Sequence, residues 1–444
     1  VINRPKAVEG TNLSVGADPR VRPENLVEWL TWIEQQHSLE IDLSLERVSQ
    51  VAERLSLLKF NCPVITVGGT NGKGSTVATI AAIYGAAGYS CGVYTSPHLL
   101  QFNERIVIAG HQASDAALCE AFAAVDAARN NITLTYFEFA TLAALYLFQK
   151  SKLDVIILEV GLGGRLDAVN IVDSDVAIIT TVDIDHTDYL GNSREQIGTE
   201  KAGIFRAGKP AIYGDGDAVS TVLASAAAKG ALLYVQGTDF SVEEEGAVWH
   251  WHNKEQDYKQ LPKPAVLLHN ASLALQAITL LAPRLPVTSE AICQGLATVR
   301  VAGRFQILGH EPRCIIDVAH NPQGSAMLLH QLRLLGWQGT LHIVFSMLAT
   351  KDRLGSLLPW QQCVAQWYLA PLKDSKAAPL EAIEADFMAL GITSYQKYGT
   401  IQDAYSAARH NADANETVLI FGSFHTVAEV MQRELGPVYN SEEK

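Results

Sequence analysis

One lysine sits inside a run of glycines, Val67-Gly68-Gly69-Thr70-Asn71-Gly72-Lys73-Gly74-Ser75. An apolar segment from Val64 precedes it, and a helix-forming segment, Val77 to Tyr84, follows. Glycines let several backbone N–H groups converge on one point. A helix N-terminus adds partial positive charge, and the lysine adds a full one. That combination cradles phosphate, so a nucleotide is the first expectation. The spelling departs from the common G-x-x-x-x-G-K-[ST] loop. The first glycine would fall on Val67, and Gly74 follows the lysine. A glycine-rich turn carrying a surface lysine is the competing possibility.

Three further segments follow apolar, strand-like runs, where ligands collect in open α/β sheets. Tyr94-Thr95-Ser96-Pro97-His98 offers hydroxyls for Mg²⁺ or phosphate, or is simply a proline-set turn. Glu159 ends the apolar run Asp154 to Val160. A buried carboxylate is costly unless it is paired or bound to a cation, so a Mg²⁺ ligand competes there with a structural ion pair. The glycines after it lack the third member of G-x-G-x-x-G, which would fall on Leu166. Asp183-Ile184-Asp185-His186-Thr187-Asp188 groups hard-metal donors but lacks the glycine of a calcium loop, and a solvated loop is its alternative. Further on, Asp317-Val318-Ala319-His320-Asn321-Pro322 and Gly422-Ser423-Phe424-His425-Thr426 each lie between an apolar run and a helix. Each is either a helix cap or a ligand-facing edge. Nothing in its neighbourhood gives Lys201 a special role.

The elements that must position these groups alternate. Leu26, Trp29, Leu30 and Ile33 mark one face of a first helix, and a second follows Ile41 to Val48. After the glycine loop come a strand at Cys91 to Tyr94 and helices at Ala116 to Ala128 and Phe137 to Lys150. Val- and Ile-rich strands follow at Asp154 to Val160 and Val176 to Val182. A helix at Arg194 to Phe205 and a strand–helix pair over 211–229 come next, then a β-rich excursion over 232–260. A second alternating series begins near residues 299–304 and runs to the end. The expected fold is α/β: a P-loop-type ATPase domain with a mostly parallel sheet over 23–300, and a smaller Rossmann-like α/β domain over 304–444. Residues 1–22 are expected to form a flexible extension.

Composition sets bounds. Hydrophobic residues make up 48% and charged residues 18% of 444, enough for sizeable cores. A net charge of −13 argues against nucleic acid as the main partner. No apolar run approaches the ~20 residues that span a bilayer. The six cysteines form no C-x-x-C pair, as in a reduced cytoplasmic protein.

Taken in order, eight segments resemble the Mur ligase superfamily and, within it, the dihydrofolate synthase/folylpolyglutamate synthase branch. They are the glycine loop, Tyr94 to Leu99, Leu134 to Phe139, Glu159 to Ala168, Asp185-His186-Thr187, Glu200-Lys201-Ala202-Gly203-Ile204, Asp317 to Pro322 and Gly422 to Val427. The resemblance spans Pro23 to Leu435. It implies that Thr70, Asn71, Gly72 and Lys73 cradle ATP, with Asn270, Arg304 and Asp317 contacting it from the interdomain side. It implies two Mg²⁺ sites using Ser96, Glu159, His186 and a CO₂-carboxylated Lys201, with room for a monovalent cation. Lys73, His186 and Lys201 would be catalytic. Ile41, Asp42 and Leu43, with Thr135, Tyr136, Phe137 and Glu138 and with Leu166, Asp167 and Ala168, would line a pterin-side pocket for dihydropteroate and reduced folates, to which L-glutamate is joined. The family resemblance favours a monomer.

Ser346-Met347-Leu348-Ala349-Thr350-Lys351-Asp352 departs from relatives, which often end this loop in His-Asp-Lys-Asp. Folylpolyglutamate synthase activity alone, a peptidoglycan Mur ligase, an ATP-driven switch and a catalytically dead homologue are the alternatives. The phosphate loop begins about 45 residues after Pro23, too few for the extra UDP-binding domain of the peptidoglycan enzymes.

Overall fold

The computed structural model describes residues 23–337 and 339–435. The extension expected over residues 1–22 lies outside them. An eight-stranded sheet carries the first half of the chain. Its strands are β1 (Val64–Gly68), β2 (Cys91–Tyr94), β3 (Ile106–Ile108), β4 (His111–Gln112), β5 (Val155–Glu159), β6 (Val176–Ile179), β7 (Pro210–Tyr213) and β8 (Leu232–Val235). They lie in the order β4-β3-β2-β5-β1-β6-β7-β8. From β2 to β8 every pairing is parallel, while β3 and β4 add an antiparallel edge. β1, β5 and β6 are wholly buried, as their unbroken Val and Ile content requires of strands covered on both faces.

Register decides what meets at the sheet's C-terminal edge. Val67 on β1 pairs with Glu159 on β5, and Gly68 pairs with Ile179 on β6. The glycine loop, the carboxylate and the Thr180–His186 segment therefore leave the sheet side by side. Helices Leu26–Glu34, Asp115–Arg129 and Tyr136–Lys150 pack in one core, and Lys73–Ala86, Leu268–Leu281 and Ser289–Thr298 in another.

The β-rich stretch expected over 232–260 divides. Leu232–Val235 completes the large sheet, while β9 (Phe240–Glu245), β10 (Val248–Asn253) and β11 (Asp257–Pro262) form a separate antiparallel sheet. Alternation explains it: Trp249 and Trp251 face inward and are buried, and Glu243, Glu244 and Glu245 stay in solvent.

The second unit is a six-stranded sheet of β12 (Gln306–His310), β13 (Arg313–Ile316), β14 (Leu341–Phe345), β15 (Ala365–Leu369), β16 (Tyr395–Lys397) and β17 (Thr417–Phe421). Its order is β12-β13-β17-β14-β15-β16, parallel except for β12. The connection between units passes through Gly303, whose φ of +68° suits glycine, and a Cβ there would come within 2.9 Å of Leu99 Cδ1 on the first unit.

The helix that opens at Lys73 is fixed from behind by Ser289–Thr298. A Cβ on Gly295 would lie 2.5 Å from Ile83 Cα, a contact between backbones that no rotamer relieves. Gly295→Val should therefore cost more than about 2 kcal/mol of stability, read as a lower urea midpoint. An unchanged midpoint would show that these helices are not locked together.

Candidate active site

The glycine loop is shaped by what approaches it. A Cβ on Gly69 would lie 1.8 Å from Thr180 Oγ1, and one on Gly72 would lie 2.3 Å from Asn270 Oδ1. Gly72 also caps the Lys73–Ala86 helix at φ +88°. Thr70 is tied to β6's extension, accepting from Asp183 N at 3.0 Å, and Asn71 N donates to Thr181 Oγ1 at 3.1 Å. Lys73 Nζ donates to the carbonyls of Gly69 and Thr70 at 3.1 and 3.3 Å. Burial lowers its pKa.

Beside the loop, a narrow cleft of about 60 Å³ runs between the two units, lined by Asn71, Gly72, Asn270, Arg304 and Asp317. Asn270 Oδ1 is buried there without a hydrogen-bond partner. An orphaned acceptor at this spot suits a nucleotide's donor groups. Asp317 spends its carboxylate on Phe305 N and Ala319 N, at 2.8 and 2.7 Å, so it shapes the turn that carries Arg304.

The cleft opens into a cavity of about 1130 Å³ whose wall carries Ser96, Glu159, His186 and Lys201. Glu159 is buried at 4% exposure and accepts from Ser96 N at 3.3 Å. Its oxygens would lie 3.7 and 3.8 Å from a Cβ on Gly74, at the first turn of the phosphate-loop helix. Burial raises its pKa, while Lys73 and Arg304 oppose the rise. His186 adopts φ +53°, an uncommon conformation outside glycine, at the head of a short helical turn. Desolvation and Lys351, with Nζ 3.4 Å from Nε2, hold its pKa at about 4 and keep the ring neutral.

Among the described residues no group of three or more His, Cys, Asp or Glu gathers to hold a metal. One carboxylate and a hydroxyl beside a phosphate cradle nevertheless fit Mg²⁺, which takes few protein ligands and completes its shell with phosphate oxygens and water. Lys201 is 3% exposed, and its amine has no hydrogen bond or ion pair among the described residues. Burial, then Lys73, lowers its pKa to about 7. An amine that is neutral in substantial part near pH 7 is a nucleophile, and no pattern in the sequence could show that.

The three segments expected on the pterin side all line the same cavity. Thr135 and Glu138 form a capping box: Glu138 N donates to Thr135 Oγ1 at 3.2 Å, and Thr135 N donates to Glu138 Oε2 at 2.7 Å. Asp167 accepts from Leu162 N and Val169 N, at 2.7 and 3.1 Å, and burial raises its pKa to about 7. These acids mould the pocket walls. Phe137 packs so closely on Gly161 that a Cβ there would lie 2.6 Å from the ring.

The units meet across Asp185. It accepts from Lys351 Nζ at 2.7 Å and Asn321 Nδ2 at 3.0 Å, and lies 3.6 Å from His320 Nε2. Burial alone would raise its pKa. The His320 bond and the Lys351 charge overcome that and hold the carboxylate far below its usual range. Asn321 caps helix Pro322–Leu335, as one of the two views of this segment expects, and also bonds Asn71 of the glycine loop.

Comparison with known proteins decides the family. Residues 67–261 match the Mur ligase middle domain, and 303–424 match the Mur ligase glutamate ligase domain. The dihydrofolate synthase/folylpolyglutamate synthase of Escherichia coli is 46% identical over 407 residues, covering 92% of this chain and 95% of the relative. The chain belongs to the dihydrofolate synthase/folylpolyglutamate synthase family of Mur ligases. The Haemophilus influenzae member is 39% identical over 426 residues, 91% of this chain and 96% of its own. Among solved structures, E. coli FolC in complex with DHPP and ADP superposes with a TM-score of 0.89 at 45% identity, covering 92% of this chain and 97% of that one. The Yersinia pestis enzyme complexed with AMPPNP and Mn gives 0.87 at 46%, covering 92% and 98%.

Two residues beside the site were given no role by the sequence. Lys351 was visible only as the remnant of a departed motif. Arg47 joins two pterin-side segments: its Nη1 donates to Asp42 Oδ2 at 2.7 Å and its Nη2 to Glu138 Oε1 at 3.1 Å. Its partners lie 5 and 91 positions away, a spacing no local pattern encodes. Arg47→Met would leave buried Glu138 without its cation and should cost about 3 kcal/mol in denaturant titration. Burial already raises the Glu138 pKa. Loss of Arg47 raises it further, so folded protein binds more protons than unfolded, and the deficit should grow as pH rises through and above the ordinary glutamate range. Adding Glu138→Gln should recover much of it. Equal losses in the single and double variants would mean the ion pair is not the cause.

Proposed function

We propose that this enzyme is an ATP-dependent ligase that joins L-glutamate to dihydropteroate, and further glutamates to reduced folates, through an acyl phosphate. One observation carries this reading. A single cavity puts the phosphate loop, the Glu159–Lys201 wall and three pterin-side segments around one space, with His320 and Ser423 of the second unit facing it.

A carboxylate cannot acylate an amine directly, because its leaving group would be oxide. Attack of a carboxylate oxygen on the γ-phosphorus forms an O–P bond and releases ADP. The α-amine of glutamate then attacks the acyl carbon, and phosphate leaves with the C–O electron pair. Lys73 and the helix N-terminus stabilise charge on the transferred phosphoryl group, and Arg304 reaches it from the second unit. Thr70, Asn71 and Gly72 would shape the loop around the phosphates, Thr70 and Asn71 being tied through their N–H groups to Thr181, and Asn270 and Asp317 would bound the nucleotide cleft. Ser96, Glu159 and His186 would hold divalent metal, which would offset the negative charge of the phosphates. The Lys201 amine would add to CO₂, forming an N–C bond and releasing a proton, to give a carbamate that serves as a further ligand. Units 23–300 and 304–435 closing on each other would keep water from the acyl phosphate. We place the enzyme in the cytoplasm as a monomer. Six free cysteines suit a reducing compartment, and no helix of the described residues is long and apolar enough to cross a membrane.

Phosphate release with Mg-ATP and glutamate should require either dihydropteroate or tetrahydrofolate, and both should serve. Tetrahydrofolate alone would reduce the enzyme to chain extension, and release without either would favour an ATP-driven switch. Lys73→Ala should abolish turnover while leaving the fold intact. With the Lys201 pKa at about 7, the amine becomes increasingly neutral above that pH. At equal dissolved CO₂, CO₂-depleted enzyme should therefore reactivate faster at pH 8 than at pH 6.5 (about a fourfold gain in neutral amine). Unchanged turnover in Lys201→Ala would remove the carbamate from the mechanism.

A further inference from the structure

Arg105 has no place in the machinery described so far. It is 9% exposed and lines the large cavity. Its guanidinium lies 5.5 Å from the ring centroids of both Phe102 and Tyr136. Nε donates to His98 Nδ1 at 2.8 Å. His98 Nδ1 is the acceptor of that bond. The turn beneath is rigid, because Glu104 accepts from Leu99 N, Leu100 N and Gln101 N at 2.7, 2.8 and 2.8 Å. The two terminal nitrogens have no hydrogen-bond or ion-pair partner among the described residues.

A buried guanidinium held by two rings and one nitrogen, with its other edge unused, is a preorganised fork for a carboxylate. Its unused edge opens on the large cavity, where a ligand's carboxylate can reach it. Position narrows which one. Tyr136 belongs to the pterin-side wall, and the Arg105 carbonyl accepts from Thr95 N at 2.9 Å, next to Ser96 on the metal-binding wall. Arg105 therefore stands between the wall that takes the ring system and the wall where phosphoryl transfer occurs.

We propose that Arg105 is the carboxylate receptor for the pteridine-side substrate, gripping it through the Nη1–Nη2 edge. This rests on the ligase reading above. The carboxylate has two possible sources. One is the group that reacts, present on both dihydropteroate and tetrahydrofolate. The other is the α-carboxylate of a glutamyl substrate, which dihydropteroate lacks.

The test measures KM and kcat for dihydropteroate, tetrahydrofolate, glutamate and ATP in the wild type, Arg105→Met and Arg105→Lys. Wild-type enzyme without pteridine-dependent phosphate release would defeat the ligase reading and not this assignment. Given that release, Arg105→Met should raise KM for tetrahydrofolate about tenfold to a hundredfold, the loss of a charge-assisted pair. A parallel rise for dihydropteroate identifies the reacting carboxylate, and a spared dihydropteroate identifies the α-carboxylate. KM for ATP should stay within about twofold, which a general disturbance of the fold would not allow. If Arg105→Met does not fold, Arg105→Lys carries the test. It keeps the charge and loses the fork, and should raise the same KM about fivefold or more. Unchanged KM for both pteridine substrates, or a rise confined to glutamate or ATP, overturns the proposal.

Discussion

The arrangement depends on an imbalance of charge. Lys73, Arg304, Arg105, Lys201 and Lys351 line one region of a buried cavity in a protein whose net charge is −13. Glu159 and Asp185 are the acids set among them. At an effective dielectric of about 20, two like charges 4 Å apart repel by about 4 kcal/mol. The protein tolerates this by lowering the proton affinity of Lys73 and Lys201 through burial, to which the Arg304 and Lys351 charges add at Lys73 and the Lys73 charge adds at Lys201. Such a pocket favours a polyanion. The far end is built differently: Asp42, Glu138 and Asp167 mould it by bonding to backbone and to Arg47. One cavity thus has a cationic end suited to phosphates and carboxylates, and an acid-bearing end lined by Tyr136 and Phe137.

Neither unit is sufficient alone. The first supplies the loop, Glu159 and the aromatic wall, and the second supplies Arg304, His320 and Lys351. Asp185 is the joint between them, belonging to the first unit and bonding side chains of the second. The pair Glu40–Lys376 spans the same divide at the mouth of the cavity, in the loop that also carries Ile41 and Asp42. Relative motion of the units would therefore alter the nucleotide cleft and the pterin-side loop together. Gly303 is the point where the connecting chain passes close enough to Leu99 to link that motion to the turn holding His98 and Arg105.

Sequence made the strands legible wherever burial on both faces produced continuous apolar runs, as at Val64–Gly68 and Val155–Glu159. It located the glycine loop because positive φ and close approach leave only glycine at Gly69 and Gly72. It did not show the short antiparallel strands Ile106–Ile108 and His111–Gln112, since two or three residues carry no period. The Lys201 amine was silent because its chemistry comes from burial, a property of the folded neighbourhood. Arg47 and Arg105 were silent for a related reason. One acts through partners remote in sequence, the other through an edge left unpaired, and neither is written in a local pattern.

The loop that departs from its relatives shows how such a change is tolerated. At Ala349 and Thr350 this chain lacks the usual side chains, yet Ala349 still donates its N–H to Lys376 O at 2.8 Å and accepts from Arg353 at 3.2 Å through its carbonyl. Those bonds need only backbone. Lys351 is different, because its ammonium reaches Asp185 across the gap between units. Asp352 is different too, capping the next helix through Gly355 N at 2.8 Å. Ala349 thus contributes main chain, while Lys351 contributes charge and Asp352 a cap. Side-chain chemistry at a loop is constrained only where the side chain itself meets a partner, so in this loop the joint between the units rests on Lys351 and not on the side chain of Ala349.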